Sequence, residues 1–169
     1  MDIKICGDLV QLKNVTKEDA KFILDLRKEG DLNQYISKIS VKLEDQEKWI
    51  ENYLIREKEN KEYYFIILNK ETLQKCGTVR IYDINQKTKE CIWGSFILGS
   101  NRPEGSSYEV IKLSLDFIFK ILELNKVKLD VRKENKKAIH IYKKSGFTYD
   151  YEDLENEYYY IKKIKRELN

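Results

Sequence analysis

Apolar and polar positions change their period along this chain, and the changes mark its elements. Gly7 to Leu12 reads as a short strand. Thr16 stands as an N-cap ahead of Glu18 and Asp19 and opens a helix that reaches about Lys28. Between Glu44 and Lys58 the period is helical again, with Trp49, Ile50, Tyr53 and Leu54 on one face. Three strand-like runs follow, Tyr63 to Leu68, Gly77 to Tyr82 and Glu90 to Leu98, parted by polar, turn-forming stretches such as Asp83 to Lys89. That succession predicts an antiparallel meander.

Beyond Leu98 the pattern switches to helix, strand, helix, strand. A helix is predicted from Ser107 to Glu123, a strand from Lys126 to Arg132, and a helix from Glu134 to Ser145 closed by Gly146. Two last strands are predicted around Phe147 to Tyr151 and Tyr158 to Lys165. Added to a meander, this order predicts a mixed α/β sheet with helices on both faces. In the helix after Leu98, Glu109, Lys112, Asp116, Lys120 and Glu123 recur at three- and four-residue spacing while the remainder is mostly apolar. It reads as a buried helix with one narrow wet stripe. In the next helix Ala138, Ile141, Tyr142 and Ser145 share a face, leaving Lys136, Lys137, Lys143 and Lys144 mostly to solvent. Tyr142 is thereby aimed at the body of the protein.

Composition narrows the function. The 169 residues, 41% of them hydrophobic, suffice for one sizeable core, and a single proline, Pro103, with no low-complexity linker offers no boundary at which to divide the chain. One domain spanning residues 1–169 is expected. The formal charge of +3 arises from 32 basic and 29 acidic residues scattered together, which gives no basic stripe for a nucleic acid to follow. Cys6, Cys76 and Cys91 lie far apart with only His140 to join them, so neither a metal site nor a disulfide framework is expected. They read as reduced thiols of a cytoplasmic protein. No apolar leader is evident and no run approaches the ~20 apolar residues that span a bilayer, so membrane insertion is not expected.

The chemistry concentrates in two segments. Arg102-Pro-Glu-Gly105-Ser106-Ser107 joins a strand to the N-terminus of a helix, where small residues let a ligand approach and unpaired N–H groups favour an anion. Taken alone, this reads rather as an ordinary glycine-containing loop with a serine cap. Downstream runs Leu129-Asp130-Val131-Arg-Lys-Glu-Asn135-Lys-Lys-Ala138-Ile139-His-Ile141-Tyr142-Lys-Lys-Ser-Gly146-Phe147. Its Asn, Ala, Tyr and terminal Gly-Phe resemble closely the second signature of the GNAT N-acetyltransferases. The upstream loop resembles that family's pyrophosphate loop, Gln or Arg followed by x-x-G-x-G or x-x-G-x-A, with Ser107 in place of the usual Gly or Ala.

The resemblance implies the acyl-CoA N-acyltransferase fold, acetyl-CoA as co-substrate and no metal. It implies two parallel strands, ending near Leu98 and Arg132, that splay to admit the pantetheine arm. Backbone around Phe96 and Leu98 would polarise the thioester carbonyl. Gly105, Ser106 and Ser107 would hold the pyrophosphate with Arg102 beside them, and Asn135 would bond the cofactor arm. Tyr142, a phenol protonated at neutral pH, would donate to the departing thiolate. Asp130, near the end of its strand and opposite Leu129 and Val131, is the first candidate for the base, with Glu90 second and a water chain as the alternative. His140, among lysines, reads as a surface residue, and Tyr158-Tyr159-Tyr160 as strand-forming.

In this family the acceptor is chosen by the first two helices and their connection, here Arg27 to Trp49. Arg27, Tyr35, Trp49 and Arg80 with their neighbours are similar to members that acetylate the 4-amino group of nucleotide-linked deoxy sugars in pseudaminic acid and surface-polysaccharide pathways. The arginines would pair with a sugar-nucleotide pyrophosphate, and the two rings would pack on sugar or base. A surface ion pair and core packing are the plain alternatives. Transferases acting on polyamines or on protein N-termini, ribosomal proteins included, resemble the chain through the same cofactor half. A CoA-binding module without turnover is the reading from another class. Sequence leaves the acceptor and any homo-oligomer open.

Overall fold

The computed structural model describes residues 2–29 and 42–165. Among them, eight strands form one sheet in the order β1-β2-β3-β4-β5-β6-β8-β7. The strands are β1 (Lys4–Cys6), β2 (Val10–Asn14), β3 (Tyr63–Asn69), β4 (Lys75–Asn85), β5 (Glu90–Leu98), β6 (Lys126–Arg132), β7 (Thr148–Asp153) and β8 (Tyr158–Ile164). Strands β1 to β5 pair antiparallel with their neighbours, and β3 to β5 are the predicted meander. Only the β5–β6 pairing is parallel. The helices are α1 (Ala20–Lys28), α2 (Leu43–Lys58), α3 (Ser106–Asp116) and α4 (Lys136–Lys144).

Each sheet face is covered, because alternate residues along the central strands are apolar on both sides. Val79 and Ile81 of β4 join Val110 and Ile111 of α3, with Ala138, Ile141 and Tyr142 of α4 packed against them. On the opposite face Tyr64 and Ile66 of β3 meet Ala20 and Ile23 of α1 and Ile50 and Tyr53 of α2. We refer to these as the α3/α4 face and the α1/α2 face.

Local signals explain where elements begin. Asp19 reaches back to the Thr16 backbone N–H at 2.9 Å, closing a 3-10 turn (Lys17–Asp19) ahead of α1. The strand expected from Gly7 to Leu12 is corrected: Gly7 lies in the turn between β1 and β2, its N–H bonded to Val10 O at 2.9 Å. Glu109 of α3 ties that turn down, accepting from Leu9 N at 2.9 Å. The helix predicted from Ser107 to Glu123 divides. Its α-helical part ends at Asp116, and Phe117–Ile121 form a π-helical turn. The widened turn seats Phe117 edge-on against Tyr63 and Phe65, with ring centroids 5.2 and 5.5 Å apart, and leaves Ile121 exposed.

Candidate active site

Strands β5 and β6 pair only at Glu90↔Lys126, Cys91↔Val127 and Ile92↔Lys128. Beyond Ile92 they part, which frees one edge of Trp93–Leu98 on β5 and of Leu129–Arg132 on β6. A bulge in β5 accompanies the parting. Thr78↔Ile97 and Arg80↔Gly94 set two β5 residues, Ser95 and Phe96, against Val79, and Ser95 adopts φ +48°. Thr78 Oγ1 holds the bulge by donating to Ser95 O at 3.2 Å.

The gap opens into a cleft of about 710 Å³ lined from both faces of the sheet. Trp93, Phe96, Leu98, Asn135 and Tyr142 line its α3/α4 side; Arg27, Gln46, Trp49, Tyr64, Arg80 and Tyr82 line the other. Such a passage lets two ligands reach one another through a sheet without sharing an entrance.

Tyr142 sits where the two halves meet. Its ring packs edge-on against Trp93 at 5.7 Å and against Phe147 at 5.9 Å. Its place is fixed by how α4 ends. Phe147 N–H donates to Tyr142 O and Gly146 N–H to Lys143 O, both at 3.0 Å, with Gly146 at φ +95°. This is a Schellman cap, whose usual apolar contact is here the Tyr142–Phe147 pair. Burial, and then the negative charge of Asp130, push the Tyr142 hydroxyl well above its ordinary pKa, so the phenol stays protonated.

Asp130 also lines the cleft, on the α1/α2 side, since Leu129 and Val131 point into the other core. Its carboxyl is accessible from the cleft, yet desolvation raises its pKa above the usual carboxylate value. Its charge likewise raises the Tyr82 hydroxyl, after burial. Glu90, the second base candidate, is bound to Lys128 Nζ at 3.0 Å at the closed end of the strand pair and does not line the cleft. Cys91 is fully buried, and burial pushes its thiol up to about 12.

Asn135 is the N-cap of α4 rather than a residue within it, as the predicted boundary at Glu134 had it; its Oδ1 accepts from Ala138 N at 3.2 Å. Among the described residues its amide NH₂ makes no hydrogen bond and remains able to donate into the cleft. Arg102, Gly105, Ser106 and Ser107 lie beyond the end of β5 and outside the cleft wall itself. Arg102 Nη1 donates to Gly99 O at 3.2 Å, holding the loop. Gly105 has φ +81°, and the nearest atom a side chain there would meet is Leu9 Cδ1 at 3.6 Å, so its backbone is open to approach. Ser106 Oγ is buried at the first turn of α3 with no hydrogen-bond partner among the described residues. An open glycine, an orphaned hydroxyl and a helix N-terminus fit a phosphate-bearing ligand.

On the acceptor side, Arg27 Nη1 donates to the buried Gln46 Oε1 at 3.3 Å. Arg80 stacks between Tyr82, at 4.2 Å, and Trp49, at 5.2 Å. Trp49 is itself packed on Tyr53 and Tyr64 and is therefore partly a core ring. Tyr35 lies outside the described residues. Sequence reasoning gave no role to Gln46 and Tyr82, although both lie in the stretches that resemble the amino-sugar transferases, and it missed Tyr64 and Trp93. Alternation from Arg80 would have placed Tyr82 on the same face, but nothing local marks Tyr64 or Trp93.

A sheet opened between two parallel strands, with a tyrosine from the following helix at the opening, defines a recognised class. Residues 10–148 match the acetyltransferase (GNAT) domain, and the chain belongs to that family. The solved structure of apo FdhC, described as a nucleotide-linked sugar GNAT, has a TM-score of 0.88 and 32% identity, covering 97% of this chain and 91% of that one. The acetyltransferase PseH of Campylobacter jejuni subsp. jejuni serotype O:2 is 24% identical over 156 residues, 90% of this chain and 92% of the relative. Spermidine N(1)-acetyltransferase of Escherichia coli (strain K12) is 37% identical over 75 residues, 44% of this chain, and the match spans 40% of that relative's length. No helix among the described residues is long and apolar enough to cross a membrane, and no metal-holding cluster of His, Cys, Asp or Glu occurs among them.

Proposed function

We propose that the chain transfers an acetyl group from acetyl-CoA directly to the 4-amino group of a nucleotide-linked deoxy amino sugar, as a step of surface-glycan biosynthesis. The observation that carries this reading is the pair of guanidiniums, Arg27 and Arg80, on the cleft wall opposite Tyr142. They suit a diphosphate and repel a polyamine. The likeness to a nucleotide-linked sugar GNAT and to PseH supports the same choice.

When bound, acetyl-CoA supplies an activated acyl group. Ser106, Ser107 and the Gly105 backbone hold its pyrophosphate, with Arg102 bracing the loop, and Asn135 donates to its arm. The freed edge of β5 around Phe96 and Leu98 provides backbone donors near the acyl carbonyl. Asp130 takes the proton of the attacking amine, and Tyr142 returns one to the departing sulfur.

The test is a thiol-release assay with acetyl-CoA against UDP- and dTDP-linked 4-amino sugars, spermidine and N-terminal peptides. The sugar nucleotides should give the highest kcat/KM, and Arg27→Ala should raise KM for the acceptor more than for acetyl-CoA. Equal turnover of spermidine, the substrate named for the Escherichia coli relative, would overturn the acceptor assignment.

A further inference from the structure

Behind the acceptor wall, one buried carboxylate is shared by two guanidiniums. Glu62 is 4% exposed. It accepts from Arg80 Nη2 at 2.7 Å and from Arg56 Nε and Nη2, each at 3.2 Å. Arg80 lines the cleft, whereas Arg56 does not. The Arg80 plane is held between Tyr82 and Trp49, and its Nε is buried with no hydrogen-bond partner among the described residues. Arg56 approaches the same Trp49 ring at 5.2 Å from the outer side of α2, with its side chain 35% exposed.

A single carboxylate neutralises one unit of charge, and here two cations draw on it. Among the described residues, the other charged side chains lining the cleft are Arg27, which makes no ion pair there, Arg132, which is paired with Glu134, Lys137 and Asp130. Counted over the cleft and its immediate ion pairs, the cations Arg27, Arg56, Arg80, Arg132 and Lys137 outnumber the carboxylates Glu62, Asp130 and Glu134, which leaves a positive surplus. Because Arg80 is clamped by two rings, that surplus is presented in a fixed place.

We propose that Arg56, from outside the cleft, sets the anion affinity of the acceptor half by competing with Arg80 for Glu62. With Arg56 present, Arg80 keeps charge to offer a ligand diphosphate. Without it, Glu62 belongs to Arg80 alone and neutralises it. Arg56 is thus a specificity-determining residue that never touches the substrate. The identity of the ligand as a diphosphate rests on the function proposed above; the charge competition does not.

The experiment is calorimetric titration of the cofactor-free protein with UDP, with acetyl-CoA titrated alongside. Arg56→Gln should weaken UDP binding roughly three- to tenfold, the size expected for removing one nearby charge. Arg56→Lys, which keeps the charge and loses the fork, should restore it. Glu62→Gln should bind UDP at least as tightly as the parent. Acetyl-CoA affinity should be the same in all, and melting temperatures report whether each variant is folded. Parent-like UDP affinity in Arg56→Gln overturns the proposal, as does an Arg56→Lys as weak as Arg56→Gln, which would make the effect one of packing. Failure of UDP to bind the parent protein also overturns it, while leaving acetyl transfer to be judged by the thiol-release assay. Conversely, UDP binding that responds to Arg56 upholds it even if no amino-sugar nucleotide is acetylated.

Discussion

Tyr142 and Asp130 come from opposite faces of one sheet and act on each other through the gap between β5 and β6. Desolvation and the Asp130 charge keep the Tyr142 phenol protonated, the state an acid needs. Tyr142→Phe removes only the hydroxyl from a ring that still packs on Trp93 and Phe147. We expect kcat to fall by roughly 10²–10⁴ with the acetyl-CoA Kd and the melting temperature unchanged; full turnover would assign protonation of the sulfur to another donor. Asp130 carries the opposite cost. Its folded pKa lies above the ordinary carboxylate value, so the folded state binds the proton more tightly than the unfolded one. Stability therefore falls as pH rises from the ordinary carboxylate range through Asp130's own pKa, and stays reduced at neutral pH. Asp130→Asn should raise the melting temperature at pH 7 and leave it unchanged below the ordinary carboxylate range, while kcat/KM falls and loses its acid limb. Identical melting of the two proteins at pH 7 would mean that the carboxyl is not desolvated.

At the scale of elements, the end of α4 shows how a backbone motif places the ring of the proposed acid, Tyr142. The Schellman cap needs Gly146 at φ +95° and brings Phe147 back onto Tyr142. Gly146→Ala should destabilise the fold by about 1 kcal/mol, since a Cβ is strained in that region, and should lower kcat because the phenol moves with the cap. Measured kcat at a temperature where the variant is fully folded separates the two effects, and unchanged turnover there would show that the cap does not position Tyr142. This part of the site was legible in the sequence because its signals lie within a few residues of each other, from Asn135 to Phe147. Elements were legible for the same reason: the expected bounds of α2, β3, β5 and β6 lie within one residue of the observed ones, whereas β4 runs three residues past Tyr82 and α3 stops at Asp116. The end of β5–β6 pairing was not legible, because it depends on strands from distant parts of the chain. The bulge at Ser95 and the π turn at Phe117 escaped as well: both answer to packing partners, Thr78 and the Tyr63–Phe65 pair, that lie far off in sequence. The misplaced strand at Gly7 has a local cause, since Gly7-Asp8 is a turn signal within a strand-like run.

On the scale of the whole molecule, the proposed function puts cofactor and acceptor on opposite sheet faces, and the chain carries one tryptophan on each. Trp93 lies on the α3/α4 side beside Tyr142, at the first position after β5 leaves β6; Trp49 lies on the α1/α2 side beside Arg80. With two tryptophans in the whole sequence, each single Trp→Phe variant keeps one reporter. If the ligands enter from opposite faces, Trp49→Phe should change its fluorescence with acetyl-CoA and hardly with UDP, and Trp93→Phe the reverse. Both ligands should then bind together, and transfer should be direct. The buried thiols agree with this: desolvation pushes Cys76 up to about 11 and Cys91 to about 12, so at neutral pH neither offers a thiolate to carry the acetyl group. Steady-state rates should accordingly give intersecting rather than parallel double-reciprocal lines, and intact-mass spectrometry after mixing with acetyl-CoA alone should find no adduct. A response of Trp49 to acetyl-CoA as large as that of Trp93 would put both ligands on one face, and a stoichiometric acetyl adduct on a cysteine would replace direct transfer by a two-step route.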